Sequence, residues 1–183
     1  MSDITDLPTL RAAWAAGARP DFVFFWGHTP PKDGSVNGTC LSQWFVSPFT
    51  VDGRIYPTAE HWMMAGKARL FEDAEAFEQI FESASPAVAK KIGRRVRGFD
   101  NATWKAHRRV IVTEGNRHKF DQSPPLARFL RGTGDAVLVE ASPYDRIWGI
   151  GLKRDDSRAA DPGTWRGENL LGFALMDVRA ELR

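Results

Sequence analysis

The sequence predicts an α+β fold, a single helix-rich domain arranged around a small β-sheet. Three observations lead there. Short apolar runs at Phe22–Trp26 and Ala136–Glu140 have the length and the β-branched or aromatic content of buried strands. Asp52-Gly53 joins two short β-rich segments in the manner of a tight hairpin turn. Between Thr58 and Leu130, capping residues, prolines and glycines cut the chain into successive helices.

Residues 1–20 read as a leader that holds a helix over Leu7–Ala16, ended by Gly17 and Pro20. Phe22-Val23-Phe24-Phe25-Trp26 is the first strand, and Gly27–Gly38, with Pro30, Pro31, Gly34 and Asn37, is loop. Strands follow at Gln43–Val46, Phe49–Val51 and Arg54–Tyr56. Thr58 caps a helix reaching about Phe71, and a second covers Ala74–Ser83. Ser85 and Pro86 form an N-cap and first-turn pair for a third helix, closed by Gly98. Asn101 caps a long helix running toward Lys119. Pro124-Pro125 lead into a short helix over Leu126–Leu130, because proline suits positions whose N–H would have no helical partner. Ala136–Glu140 and Arg146–Leu152 are strands, the latter with Gly149 and Gly151 inside it. Lys153–Gly167 is polar loop, and Glu168–Leu182 closes the chain as a helix. No repeat, low-complexity tract or boundary interrupts residues 21–183, so these form one domain.

At 183 residues the chain can bury a core without disulfides or a metal. A net charge of +2 exerts no strong pull on nucleic acid or a membrane surface. The apolar runs fall short of the ~20 residues a span requires. Ser2, Asp3 and Asp6 do not fit the basic, then apolar, start of a secretion signal. Cys40 stands alone, which excludes an intrachain disulfide and a cysteine-rich zinc site and points to a reducing, cytoplasmic setting. His28, His61, His107 and His118 lack metal-ligand spacing, so no metal is expected. Phosphate-loop, His-Glu-x-x-His and Gly-x-Ser-x-Gly patterns are absent. Seven tryptophans exceed what packing calls for, and a flat indole wall suits a ligand carrying an aromatic base.

Three stretches can carry chemistry. The first runs from Tyr56 to Arg69 and opens a helix after the hairpin. At ~100° per residue Glu60 and Lys67 return to nearly one face, about 10 Å apart along the axis. Glu60 falls in the first turn, where the helix dipole favours a carboxylate. With Trp62, Met63 and Met64 alongside, the pair can line a pocket. The same spacing fits an amphipathic helix with two solvated charges. In the second stretch Asp145 sits at a turn, Trp148 follows, and Gly149 and Gly151 remove bulk so that a ligand can approach the backbone. A turn-capping Asp and a core Trp are the plain alternative. In the third, Asn169 starts the final helix and can donate to a sugar or phosphate beside exposed N–H groups, or merely cap the helix. The basic run Lys90–Arg97 reads as a solvated face, with phosphate contact as the alternative.

Taken in order, Thr58-Ala59-Glu60-His61 with Lys67-Ala68 and Phe71, then Ala89-Lys90-Lys91-Ile92-Gly93, Gly98-Phe99-Asp100 and Trp104 resemble the NADAR family. The likeness continues through Lys119-Phe120, Val139-Glu140-Ala141-Ser142, Asp145, Trp148-Gly149-Ile150-Gly151 and Asn169-Leu170-Leu171-Gly172, so it runs from about Phe22 to the C-terminus. The resemblance implies a cytoplasmic α+β hydrolase that cleaves N-glycosidic bonds of ribose phosphates or of ADP-ribose, with no metal or redox cofactor. One branch of the family cleaves aminopyrimidine intermediates of riboflavin biosynthesis, and another removes ADP-ribose from guanine. Where many members have Ser-Asn-Phe, this chain has Ser42-Gln43-Trp44-Phe45, which implies a base pocket of different shape.

On this resemblance Glu60 stabilises positive charge on the ribose ring and deprotonates the attacking water. Lys67 either anchors phosphate or captures the ring-opened aldehyde as a Schiff base. Trp148 stacks on the base beside Gly149, Trp44 adds to the base pocket, Asp145 holds hydroxyls or the leaving base, and Asn169 contacts sugar or phosphate. The expected partner is a small ribosyl nucleotide, with ADP-ribosylated guanine in nucleic acid as the alternative. Two other classes stand beside the enzyme: a non-catalytic ADP-ribose-binding module, and a nucleic-acid binder using Lys90–Arg97.

Overall fold

A computed structural model describes residues 4–182, and their contacts group the chain into two compact units. One joins the chain up to Ser42 with Pro125 onward, and the other is the continuous stretch Gln43–Pro124. The α+β class is borne out: among the described residues, seven α-helices accompany only four short strands. The strands form two separate ladders rather than one sheet. β1 (Phe22–Phe25) pairs in parallel with β4 (Val137–Glu140), Phe22 lying opposite Val137. β2 (Phe49–Val51) and β3 (Arg54–Tyr56) make the antiparallel hairpin that Asp52-Gly53 predicts.

In the first unit, α1 (Leu7–Ala15) lies in the segment expected to be a leader, yet it is part of the core. Asp6 caps it by accepting from Thr9 N at 2.8 Å. Leu10 is fully buried with Val137, Val139, Ile150 and Phe173. Arg11 Nε donates to the Pro162 carbonyl at 2.9 Å. β4 is buried along Val137-Leu138-Val139, which is why its sequence is a continuous apolar run and not an alternating one. α6 (Pro124–Gly132) and α7 (Leu170–Glu181) complete this unit.

The strand expected at Arg146–Leu152 is not there. Asp145 Oδ1 accepts from Ile147 N at 2.8 Å and Trp148 N at 2.7 Å, which curls the chain at once. The carbonyls of Arg146, Ile147, Trp148 and Gly149 then accept from the N–H groups of Glu168, Leu170, Leu171 and Asn169. The backbone of this segment is satisfied by an irregular clasp at the start of α7 instead of by a strand ladder. Gly151, at φ +69°, has left the extended region altogether.

The second unit holds the hairpin and four helices: α2 (Ala59–Leu70), α3 (Ala74–Phe81), α4 (Pro86–Gly93) and α5 (Asn101–Asp121). Thr58, Asp73, Ser85 and Asp100 cap them, each accepting from the N–H three residues on. Asp100 therefore takes the capping role expected of Asn101. α4 closes at Gly93 rather than Gly98, through a tight bond from Arg95 N to Ile92 O at 2.7 Å. Gln43–Val46 is a turn, not a strand: the Gln43 carbonyl accepts from Glu60 N at 2.9 Å, and Ser47 N donates to Pro57 O. Those groups are spent on the approach to α2, so no ladder forms.

Aromatic rings fill the core of this unit. Trp62 meets Tyr56 edge-on with ring centroids 5.0 Å apart, and His118 at 5.4 Å. Its indole N–H donates to Ile111 O at 2.9 Å. Gly115 on α5 leaves room for that indole, since a Cβ there would collide with the Trp62 ring.

Acid lability follows from two groups of this unit. His61 is buried between Thr58 Oγ1 at 2.8 Å and the Ser83 carbonyl at 3.2 Å. A carbonyl only accepts, so Nε2 carries the proton and Nδ1 accepts from the hydroxyl. Burial pushes the imidazole pKa below its ordinary 6.5, and the ring stays neutral in the fold. The unfolded chain takes up the proton first, so this contribution is complete above 6.5 and is lost as pH falls below it. Asp73 accepts from Arg97 Nη2 and Arg97 N and caps α3, which holds its carboxyl at about 2 against the ordinary 3.8. Its contribution is present above 3.8 and disappears as pH drops toward 2. Melting temperature is expected to decline in two acid steps, and Asp73→Asn to shrink only the lower one, which Asp100, Glu78 and Asp156 share; an unchanged lower step by calorimetry would refute the assignment.

Candidate active site

α2 is not the amphipathic helix that its spacing also allowed. Nine of its twelve residues are buried, including Glu60, so the reading of two solvated charges is overturned. Glu60 is 2% exposed and sits in the first helical turn behind the Thr58 cap. Its own N–H is bound by the Gln43 carbonyl, and the helix dipole adds positive potential at its carboxylate.

Lys67 follows two turns later and is half-buried. Its Nζ donates to the Gly93 carbonyl at 2.8 Å and lies 4.1 Å from the centroid of Phe99 and 5.6 Å from that of Trp104. Burial lowers its pKa from the ordinary 10.5. The amine is thus held by three elements of one unit and carries more neutral form than a solvated lysine. Trp44 stands in the turn before the hairpin, half-buried, with Lys90 Nζ 5.7 Å from its ring centroid. Among the other basic residues of Lys90–Arg97, Lys91, Arg94 and Arg95 are exposed, and Arg97 contacts Asp73 and also Glu75 at 3.2 Å. A cavity of about 200 Å³ beside these charges is lined by Asp73, Glu75, Arg95 and Arg97, not by Glu60 or Lys67.

In the first unit the structure brings Asp145, Trp148, Gly149 and Asn169 into the same clasp. Asp145 organises the turn, so its plain role as a capping residue is realised. Trp148 is half-buried. Gly149 is pressed against β4, where a Cβ would lie 2.7 Å from the Glu140 carbonyl. Asn169 is fully buried in a left-handed conformation at φ 55° and makes no side-chain cap. Its Nδ2 donates to Leu138 O at 2.8 Å and its Oδ1 accepts from Glu140 N at 2.9 Å. The exposed N–H groups expected at the start of α7 are not exposed: those of Asn169, Leu170 and Leu171 are all bound to carbonyls of the clasp. Asn169 fixes the end of β4 and the entry to α7.

Sequence reasoning noted Gln43 only as a change in the shape of the base pocket, and missed Asn116 and Lys119 as candidates. Lys119 is fully buried, its Nζ 5.2 Å from the ring centroid of Phe120 and 5.7 Å from that of Phe45. Lysine is rarely buried to this degree. A signal was present: Val112, Gly115, Asn116, Lys119 and Phe120 fall at i, i+3, i+4, i+7 and i+8 on α5, the spacing of its inward face. Polar residues at inward positions need partners inside the unit.

Comparison with known proteins fits these observations. The NADAR domain matches residues 24–183. An N-glycosidase of Acanthamoeba polyphaga mimivirus is 43% identical over 165 residues, covering 87% of this chain and 95% of that protein. The N-glycosidase YbiA of Escherichia coli is 33% identical over 142 residues, covering 78% of this chain and 80% of the relative. Its NMR structure superposes with a TM-score of 0.70 at 29% identity, over 90% of this chain and 86% of that one. A riboflavin biosynthesis protein of Vibrio vulnificus is 32% identical over 143 residues, covering 78% of this chain but 35% of that longer protein.

Proposed function

The chain belongs to the NADAR domain family, and on that premise we propose that it is an N-glycosidase, cleaving the bond between C1 of a phosphorylated ribose and a nitrogen base. The observation that carries this reading is Glu60, a carboxylate withdrawn from solvent at the start of a buried helix. As the C1–N bond lengthens, positive charge develops on C1 and the ring oxygen. A carboxylate in a water-poor setting stabilises that charge more than a solvated one does. It also takes the proton of the attacking water.

Lys67 supports a covalent variant of the same reaction. Its neutral amine adds at C1 as the base departs with the bonding electron pair and takes one proton from the lysine nitrogen; the ring C1–O bond then breaks, its oxygen taking the second nitrogen proton, and the opened ribose remains as an imine until water returns the aldehyde and the amine. The lowered Lys67 pKa favours this over a purely phosphate-binding cation. Within the proposal, Trp148 stacks on the base, Trp44 contributes to base recognition, Asp145 holds sugar hydroxyls or the leaving base, and Asn169 positions the strand end that carries Glu140. The preferred substrates are phosphoribosylated aminopyrimidines, in keeping with the riboflavin biosynthesis protein among the relatives. ADP-ribosyl-guanine is the competing substrate.

A further inference from the structure

We propose that Gln43 and Asn116 are specificity-determining residues that read the amide edge of the leaving base. The inference rests on the N-glycosidase reading and assigns part of that site. Asn116 Nδ2 donates both to Gln43 Oε1 at 2.8 Å and to the Val112 carbonyl at 2.8 Å. Gln43 is 6% exposed and Asn116 fully buried. Gln43 Nε2 and Asn116 Oδ1 are closed off from solvent, and neither has a hydrogen-bond partner.

The orientation of both amides is fixed by what surrounds them. Turning Asn116 over would set its oxygen against the Val112 carbonyl, and turning Gln43 over would set its NH₂ against the NH₂ of Asn116. The pair is therefore locked with a donor on one residue and an acceptor on the other left unmade. Buried polar atoms in folded proteins are nearly always hydrogen-bonded, so two adjacent exceptions call for a partner. The Gln43 carbonyl binds Glu60 N at 2.9 Å, which ties the pair to the start of the helix bearing the proposed catalytic carboxylate.

A group that completes both atoms presents an acceptor to Gln43 and a donor to Asn116. An N–H beside a C=O, the lactam edge of an oxopyrimidine or oxopurine, does so in one plane.

The test compares two N-riboside 5′-phosphates, one of a 6-oxopurine and one of unsubstituted purine, which lacks the edge. Wild type is expected to prefer the oxopurine in kcat/KM by about 100-fold, because unpaired site groups penalise the analogue that cannot meet them. Gln43→Met combined with Asn116→Leu is expected to bring the ratio near one, the oxopurine losing the greater share of its rate. Gln43→Glu retains the acceptor for Asn116 and replaces only the free donor, and it is expected to lower the same ratio should the double variant fold poorly. A ratio unchanged in these variants, or both substrates falling together, would overturn the assignment. If wild type cleaves neither these two nor a phosphoribosylated aminopyrimidine nor ADP-ribosyl-guanine, the N-glycosidase reading itself fails and the pair falls with it.

Discussion

Glu60→Gln is expected to lower kcat/KM on a ribosylamine phosphate by roughly 10³-fold, the scale on which a positioned acid–base group acts. The amide keeps the shape of the side chain and the first-turn geometry of α2, so circular dichroism should show a folded protein. It removes the charge that opposes the developing cation and the base that takes the water proton. Mass spectrometry on a panel of phosphoribosylated aminopyrimidines and ADP-ribosyl-guanine reads the loss directly and ranks the substrates. Wild-type turnover in the variant would remove Glu60 from the chemistry, and tight binding without turnover in wild type would favour a sensing module instead.

Borohydride reduction during turnover is expected to add the mass of the opened ribose phosphate to Lys67. An imine forms only from the neutral amine, and burial against Phe99 and the Gly93 carbonyl shifts that form to lower pH. The sign is definite: trapping should rise with pH through an inflection below the 10.5 of a solvated lysine. Lys67→Met should abolish the adduct and cut kcat/KM by about 10²-fold or more. Peptide mapping that finds turnover but no adduct on Lys67 would return the residue to phosphate binding, where the loss should fall on KM and Lys67→Arg should restore part of it.

The parts of the fold that local chemistry specifies were legible in the sequence. The caps at Thr58 and Ser85, the hairpin at Asp52-Gly53 and the apolar strand run before Glu140 all follow from local geometry and composition. The two strands that were misassigned share a different cause. At Gln43–Val46 and Arg146–Leu152 the backbone is satisfied by distant groups, the start of α2 and the entry to α7, which no local pattern announces. The same limit governs the candidate site. Glu60 and Lys67 were visible as a seven-residue pair, but whether they were solvated depended on burial of the whole of α2. Asn169 looked like a cap and is instead a buried bracket on β4. Gln43 and Asn116 become meaningful only when a turn and the inward face of α5 meet.

The parallel pairing of β1 with β4 bears on how the molecule acquires its structure. Phe22 must wait for Val137, more than a hundred residues later in synthesis, before the central ladder of its unit exists. The stretch between them contains the whole of the continuous unit, whose own contacts need no residue beyond Pro124. Closing a long flexible loop carries an entropic cost that grows with the logarithm of its length, and a loop already collapsed into structure is effectively shorter. Early folding of residues 43–124 would therefore favour the late β1–β4 closure, so a lesion in the helix core would slow the pairing of strands that flank it in sequence.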